Sequence, residues 1–247
     1  PDKGGFIGGL DWFGLNDVGQ EPSSTYAVTV PHLAFMIYQA MFAIITVALW
    51  TGAVVERIKF SALMLLAVLW MTFVYTPVAH WVWGAGGWLA KLGALDFAGG
   101  TVVHITAGVS ALAMAMALGP RKGFREKETM EPNSIIMVVI GAALLWFGWF
   151  GFNAGSSLTA GGLAANAFVA TNTAACAAGL TWMLLSWFHR RPSLLGTATG
   201  AVVGLVAITP AAGFVPPWAG IPIGVVAAIL SYYTMLFRAR KMGIDES

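Results

Sequence analysis

In a chain of 247 residues that is 58% hydrophobic and 10% charged, the few polar side chains inside the long apolar runs are where chemistry can happen. They are Gln39, His104, Asn153, Asn166 and Asn172, with some Ser and Thr. His104 lies in the stretch "DFAGGTVVHI", eight residues after Asp96. An imidazole can donate at one nitrogen and accept at the other, so it can pass a proton. It can equally hydrogen-bond a neighbouring helix, and spacing leaves both roles open. Asp96 stands just ahead of an apolar run, where a carboxylate accepts the orphan N–H groups of a helix start. Tyr38 and Phe42 are four apart and share a helix face. "WFGWFGFNAGS" sets Trp146, Phe147, Trp149, Phe150 and Phe152 around Gly148 and Gly151. Aromatic faces attract cations by roughly 0.5–2 kcal/mol. These residue types suit a small cation held on rings without a full counter-charge; the same stripe also suits packing or a lipid face. The two glycines are expected to let the rings swing over closely packed backbone.

What is missing narrows the field. No Lys, Arg, Asp or Glu lies in the central part of any apolar run. That argues against a pump driven by buried carboxylates and against a retinal receptor, which needs a lysine inside a helix. The six lysines all fall in loops or at helix ends. His32 and His80 are expected at an interface, His189 in solvent within "FHRRP", and Glu56–Arg57 as a local ion pair or cap. Cys176 is the only cysteine, which excludes an intrachain disulfide. No metal, cofactor, nucleic-acid site or enzymatic activity is expected.

The elements that must position these groups are membrane helices. A span needs roughly 20 mostly apolar residues. Seven stretches qualify: 32–55, 61–83, 99–119, 133–155, 163–188, 194–214 and 219–237. The fifth and sixth are rich in Ala, Gly and Thr, which favours close helix packing. Alternate loops carry 11 of the 13 Lys and Arg: Arg57 and Lys59; Arg121, Lys122, Arg125 and Lys127; Arg190 and Arg191; Arg238, Arg240 and Lys241. The positive-inside rule makes that side cytoplasmic, with the N-terminus outside and the end of this chain inside. The outer segments are 1–30 and the Gly-rich 84–98. Trp83, Trp88 and Trp218 fall near the outer boundary. Pro77, Pro210, Pro216 and Pro217 are expected at or beyond helix exits, and "TPVA" and "TPAA" as two similar exits. At the helical rise, His104 would lie about 12 Å beyond Asp96.

Several of these words occur together elsewhere. "DFAGGTVVHI" and "GWFGFNAGS", with "ERIKFSA", "AHWVWG" and "RPSLLG" in order between residues 30 and 238, resemble the Amt/Mep/Rh ammonium transporter family. The resemblance implies an all-α polytopic membrane protein, part of an eleven-helix fold with a five-plus-five inverted repeat, assembled as a homotrimer. On that pattern the chain looks like a fragment covering the third to ninth helices: an outer loop at 1–30, a membrane domain at 31–238 and a cytoplasmic segment at 239–247. The family's outer cation site matches Phe42, Trp83 and Ser156, with Trp149 adjacent. Its stacked gate matches Phe42 and Phe152. The first pore histidine matches His104, and the structural carboxylate at the outer mouth matches Asp96. The second pore histidine, in a motif resembling "FGVHG", has no counterpart in these 247 residues. The implied activity is passage of ammonium or ammonia, with methylammonium as an analogue, across a cytoplasmic or plasma membrane. A PII-type regulatory protein is an implied partner on the cytoplasmic side, and membrane lipid surrounds the fold. The alternative is an ammonium sensor of the same fold that signals to a cytoplasmic partner.

Overall fold

The computed structural model describes residues 2–124, 132–189, 191–237 and 244–245. Arg125, Lys127, Arg190, Arg238, Arg240 and Lys241, six of the charges used above to orient the chain, lie outside the described residues, as does most of 239–247. Six helical stretches are long and apolar enough to cross a membrane: His32–Thr51, Phe60–Lys91, Gly100–Leu118, Ile135–Gly155, Gly162–His189 and Pro217–Phe237. Leu194–Ile208 is a shorter apolar helix of 15 residues. The chain is thus a helical polytopic membrane protein. Within the stretch 194–214, helix stops at Ile208 and turns continue through Phe214.

The helices are α1 (His32–Thr51), α2 (Phe60–Trp70), α3 (Thr76–Trp83), α4 (Trp88–Lys91), α5 (Thr106–Leu118), α6 (Ile135–Gly155), α7 (Gly162–His189), α8 (Leu194–Ile208) and α9 (Gly220–Phe237). Before α1 lie two small antiparallel ladders, β1 (Asp2–Lys3) with β2 (Ile7–Gly8) and β3 (Pro22–Ser23) with β4 (Ala27–Pro31). The chain divides into two compact units, Pro1–Arg121 with Asp245–Ser247, and Lys122–Ile244.

In the first unit, two helices contain a wide π-type turn. Met71–Tyr75 joins α2 to α3, and Gly100–Ile105 leads into α5. Next to each comes a threonine whose hydroxyl donates to the carbonyl five residues back: Thr76 to Met71 and Thr106 to Thr101, both at 2.9 Å. Such turns leave a carbonyl without its usual helical donor, and the hydroxyl supplies one. The first turn also corrects the reading of Pro77 as a helix exit. Pro77 sits in the first turn of α3, which runs on to Trp83. A residue without an N–H is tolerated there. "TPVA" therefore begins a helical segment, whereas "TPAA" leaves one, and the two are not alike.

Glu56 and Arg57 do not form the expected local pair. Arg57 donates to the carbonyls of Gly119 and Asp245, each at 3.1 Å, and pairs with the Asp245 carboxylate at 3.3 Å. Arg121 meets the same carboxylate through Nε and Nη2, both at 2.8 Å, and through its backbone N–H. Glu56, largely exposed, approaches Arg121 at 3.9 Å. Asp245 is 2% exposed. The Arg121 hydrogen bond holds its carboxyl below the ordinary carboxylate range. Desolvated charges persist only when paired in this way.

The second unit is built on α7, the most buried helix, with Ala167, Ala170, Thr171, Ala174, Ala175 and Ala178 turned inward. α8 and α9 approach its backbone through glycine. A Cβ at Gly204 or at Gly224 would overlap the Ala174 carbonyl oxygen. Small residues permit that approach where lipid offers no hydrophobic drive to association. His189 is exposed at the end of α7, as expected, and its ring also meets those of Tyr232 and Tyr233. Gly148 and Gly151 face open space, which removes the idea of rings sliding over packed backbone there.

Candidate functional site

Four of the sequence-predicted residues are joined in the first unit. α1 presents Tyr38 and Phe42, whose rings meet edge to face at 4.9 Å. Phe42 is 1% exposed and meets Trp83, at the end of α3, at 5.6 Å and 88°. Edge-to-face rings at this spacing are attractive beyond their area. The Trp83 indole N–H donates to the Asp96 carbonyl at 2.8 Å, which fixes the ring.

The side chain of Asp96 holds the start of the next helical turn. Its Oδ1 accepts from Gly99 N at 2.8 Å and Gly100 N at 2.6 Å. Its Oδ2 accepts from Thr101 N at 2.8 Å and Val102 N at 3.1 Å. A helix start leaves its first N–H groups orphaned, and one buried carboxylate satisfies four in a row. Gly99 makes this geometry available. Its φ is +110°, and a Cβ there would lie 2.7 Å from Val103 and 3.3 Å from the Trp83 ring. Only glycine adopts such a backbone without strain.

The turn that Asp96 anchors carries His104. The Gly99 carbonyl accepts from both Val103 N at 2.8 Å and His104 N at 3.0 Å, so the chain widens to its π turn at the histidine itself. Helix begins only at Gly100. Four helical steps, not eight, therefore separate the helix start from His104, so a regular helical rise does not apply over the whole stretch from Asp96. Wide turns of this kind concentrate at functional sites. Neither one was visible in the apolar pattern, because hydropathy reads composition and not hydrogen-bond register. The residues missed were Thr101 and Thr106, whose five-residue spacing was the available signal.

The remaining predicted residues belong to the second unit. Trp149 is 3% exposed and packs with Ala175 and Leu205, and its indole N–H donates to Thr209 at 2.9 Å. Phe152 rests on Trp149 at 5.3 Å. Ser156, just past the end of α6, donates its hydroxyl to the Phe152 carbonyl at 2.9 Å. Asn153, fully buried, donates to Thr171 at 2.9 Å. Phe42 and Phe152 thus sit in different units. Among the described residues, no group of three or more His, Cys, Asp or Glu could hold a metal ion.

Comparison with known proteins gives these elements a family. The model of the Ammonium Transporter Family matches residues 4–247. The chain is 55% identical over 246 residues to Ammonium transporter Amt1 of Archaeoglobus fulgidus, covering 100% of this chain and 60% of that protein. It superposes on the crystal structure of Saccharomyces cerevisiae Mep2 with a TM-score of 0.90 at 43% identity, covering 97% of this chain and 53% of that one. It also matches a structure titled Sensor Amt Protein, with a TM-score of 0.88 at 32% identity and coverage of 100% and 62%. The chain therefore spans about 60% of the length of the first of these relatives. These relatives are transporters or sensors by name, not enzymes. A motif-bearing helical core that matches along nearly its whole length leaves one assignment: this chain belongs to the ammonium transporter family.

Proposed function

We propose that the whole protein carries ammonium across its membrane, with the N-terminus of this chain outside and its end inside. The observation that carries the reading is the linkage Phe42–Trp83–Asp96–His104, in which the backbone carbonyl of Asp96 fixes the ring pair through Trp83 and its buried carboxylate anchors the turn that carries the imidazole. Phe42, Trp83 and Ser156 recruit the cation. The rings supply their negative faces. A hydroxyl that donates to a carbonyl still offers lone pairs to an N–H donor. Trp149, whose ring meets that of Phe152 in the same helix, belongs to the same outer site in this reading.

Beyond a gate of Phe42 and Phe152 the path is apolar. Moving an intact cation into such surroundings is very costly, and a neutral amine costs far less. Ammonium therefore gives up a proton to water of the outer vestibule, and the neutral ammonia passes on to the path that His104 lines. The imidazole serves by donating at one nitrogen and accepting at the other. A homotrimer and a PII-type cytoplasmic regulator belong to the same reading.

The test is uptake of labelled methylammonium by cells carrying the whole protein. Phe42→Ala is expected to loosen selectivity against other cations and His104→Ala to impair uptake. Wild-type rates and selectivity in both variants would overturn the assignment. The likeness to a sensor supports a second reading, in which the same core reports ammonium to a cytoplasmic partner. A protein that binds methylammonium at its outer site yet moves none favours that reading.

A further inference from the structure

The first unit holds a cavity that the proposed path does not use. It has a volume of about 300 Å³ and lies between the N-terminal segment, α1 and α3. Trp12, Tyr26, Phe35 and Trp83 line it, with the imidazole of His32 and the carboxamide of Gln39. Trp12 meets Tyr26 edge to face at 5.4 Å and His32 at 5.4 Å. Tyr26 stacks on Phe35 at 6.0 Å and 15°. The rings therefore brace one another as a set.

A second cavity, of about 570 Å³, shares Trp12 and His32 with the first and adds Asp17 and Glu21. Both carboxylates are exposed, and among the described residues no Lys or Arg lines either cavity. Residues 1–31 hold Asp2, Asp11, Asp17 and Glu21 against Lys3 alone. The segment is tied down where it matters. The carbonyls of Glu21 and Gly19 accept from His32 N and Leu33 N, both at 3.0 Å, and so satisfy two orphan donors at the start of α1. Leu15 and Asp17 take left-handed backbone, with φ of 64° and 56°. Non-glycine residues persist in that conformation only when their surroundings hold them there, and they cluster at ligand clamps.

We propose that this chamber is a second outer cation site, and that its ligand is a small alkylated ammonium ion. An acidic mouth raises the local concentration of cations. Aromatic walls then hold the cation by their faces, the arrangement that recognises quaternary ammonium groups. The size decides between ligands. A water molecule's share of liquid volume is roughly 30 Å³, so the chamber is far larger than bare ammonium needs. It suits a quaternary ion with four methyl groups, which has no N–H groups left to satisfy. Trp83 lines this chamber and also meets Phe42, so a cation held here lies against one ring of the recruiting pair. That last step rests on the transport reading; binding does not.

Tetramethylammonium titrated into the full chain in detergent micelles, monitored by calorimetry, tests the site. Trp12→Ala is expected to weaken binding about tenfold, and Trp12→Phe, which keeps an aromatic face, to stay within about threefold. The double variant Asp17→Lys, Glu21→Lys changes only exposed side chains and is expected to weaken binding strongly at low salt and less at high salt. A Trp12→Ala variant with native circular dichroism that loses less than about fivefold overturns the site. So does a charge-reversed variant that binds as wild type at low salt. Tetramethylammonium binding without methylammonium uptake upholds the site and refutes the transport reading; uptake without such binding does the reverse.

Discussion

Replacing Asp96 by Asn isolates the contact on which the proposed site depends. The carboxylate accepts four backbone N–H groups, two at each oxygen. Asparagine keeps one acceptor oxygen and puts an NH₂ in place of the other. That group would face two N–H donors with a donor of its own. Hydrogen bonds to charged groups contribute about 1.5–3 kcal/mol each, so two lost bonds cost about 3–6 kcal/mol. Alanine loses all four and costs more. For a chain of this size, 1 kcal/mol moves the melting temperature by roughly 2–4 °C. Asp96→Asn should therefore melt at least about 6 °C below wild type, and Asp96→Ala lower still. Thermal unfolding in micelles, monitored by tryptophan emission, reads this directly. Methylammonium uptake should fall in the same order, because the turn carrying His104 starts from these bonds. An Asn variant melting within about 2 °C of wild type, or an Ala variant no worse than Asn, would refute the four-bond account.

Packing and charge give two more tests. Gly224→Val puts carbon into the space of the Ala174 carbonyl oxygen, so α9 must move off α7; overpacking of this kind costs about 1–3 kcal/mol or more, read as a lower melting temperature. Asp245→Asn breaks the carboxylate pairing with Arg121 and Arg57 and should cost about 3–5 kcal/mol. Because Asp245 has its pKa held below the ordinary 3.8 in the folded protein, its stabilisation is complete above that pH and is lost as pH falls through the lower folded value. Melting scans from neutral to acid pH should show this loss in wild type and not in the Asn variant.

The helical membrane class and the helices themselves could be read in the residues because long apolar runs have few other solutions in lipid. The role of Asp96 could be anticipated for a related reason, since a carboxylate ahead of a helix has orphan donors within reach. Four donors to one side chain could not, because that number depends on the left-handed turn at Gly99. The π turns were hidden because an extra residue in a helical turn changes neither hydropathy nor composition. The hydrogen bond from Trp149 to Thr209 was hidden because the two lie 60 positions apart in the chain.

By itself, the amino-acid order determined what must be buried in lipid, where the charges could lie, and which family words appear. Those properties are local: each residue carries its own transfer cost and propensity. Only the tertiary structure decided which groups meet. Arg57 pairs with Asp245, 188 positions away, and not with its neighbour Glu56. Trp83 leans on Phe42 and donates to Asp96. The acidic N-terminal segment folds its Trp12 and Tyr26 onto α1. Such pairings depend on how helices pack against each other, and packing is a property of surfaces brought together, which no single stretch of sequence contains.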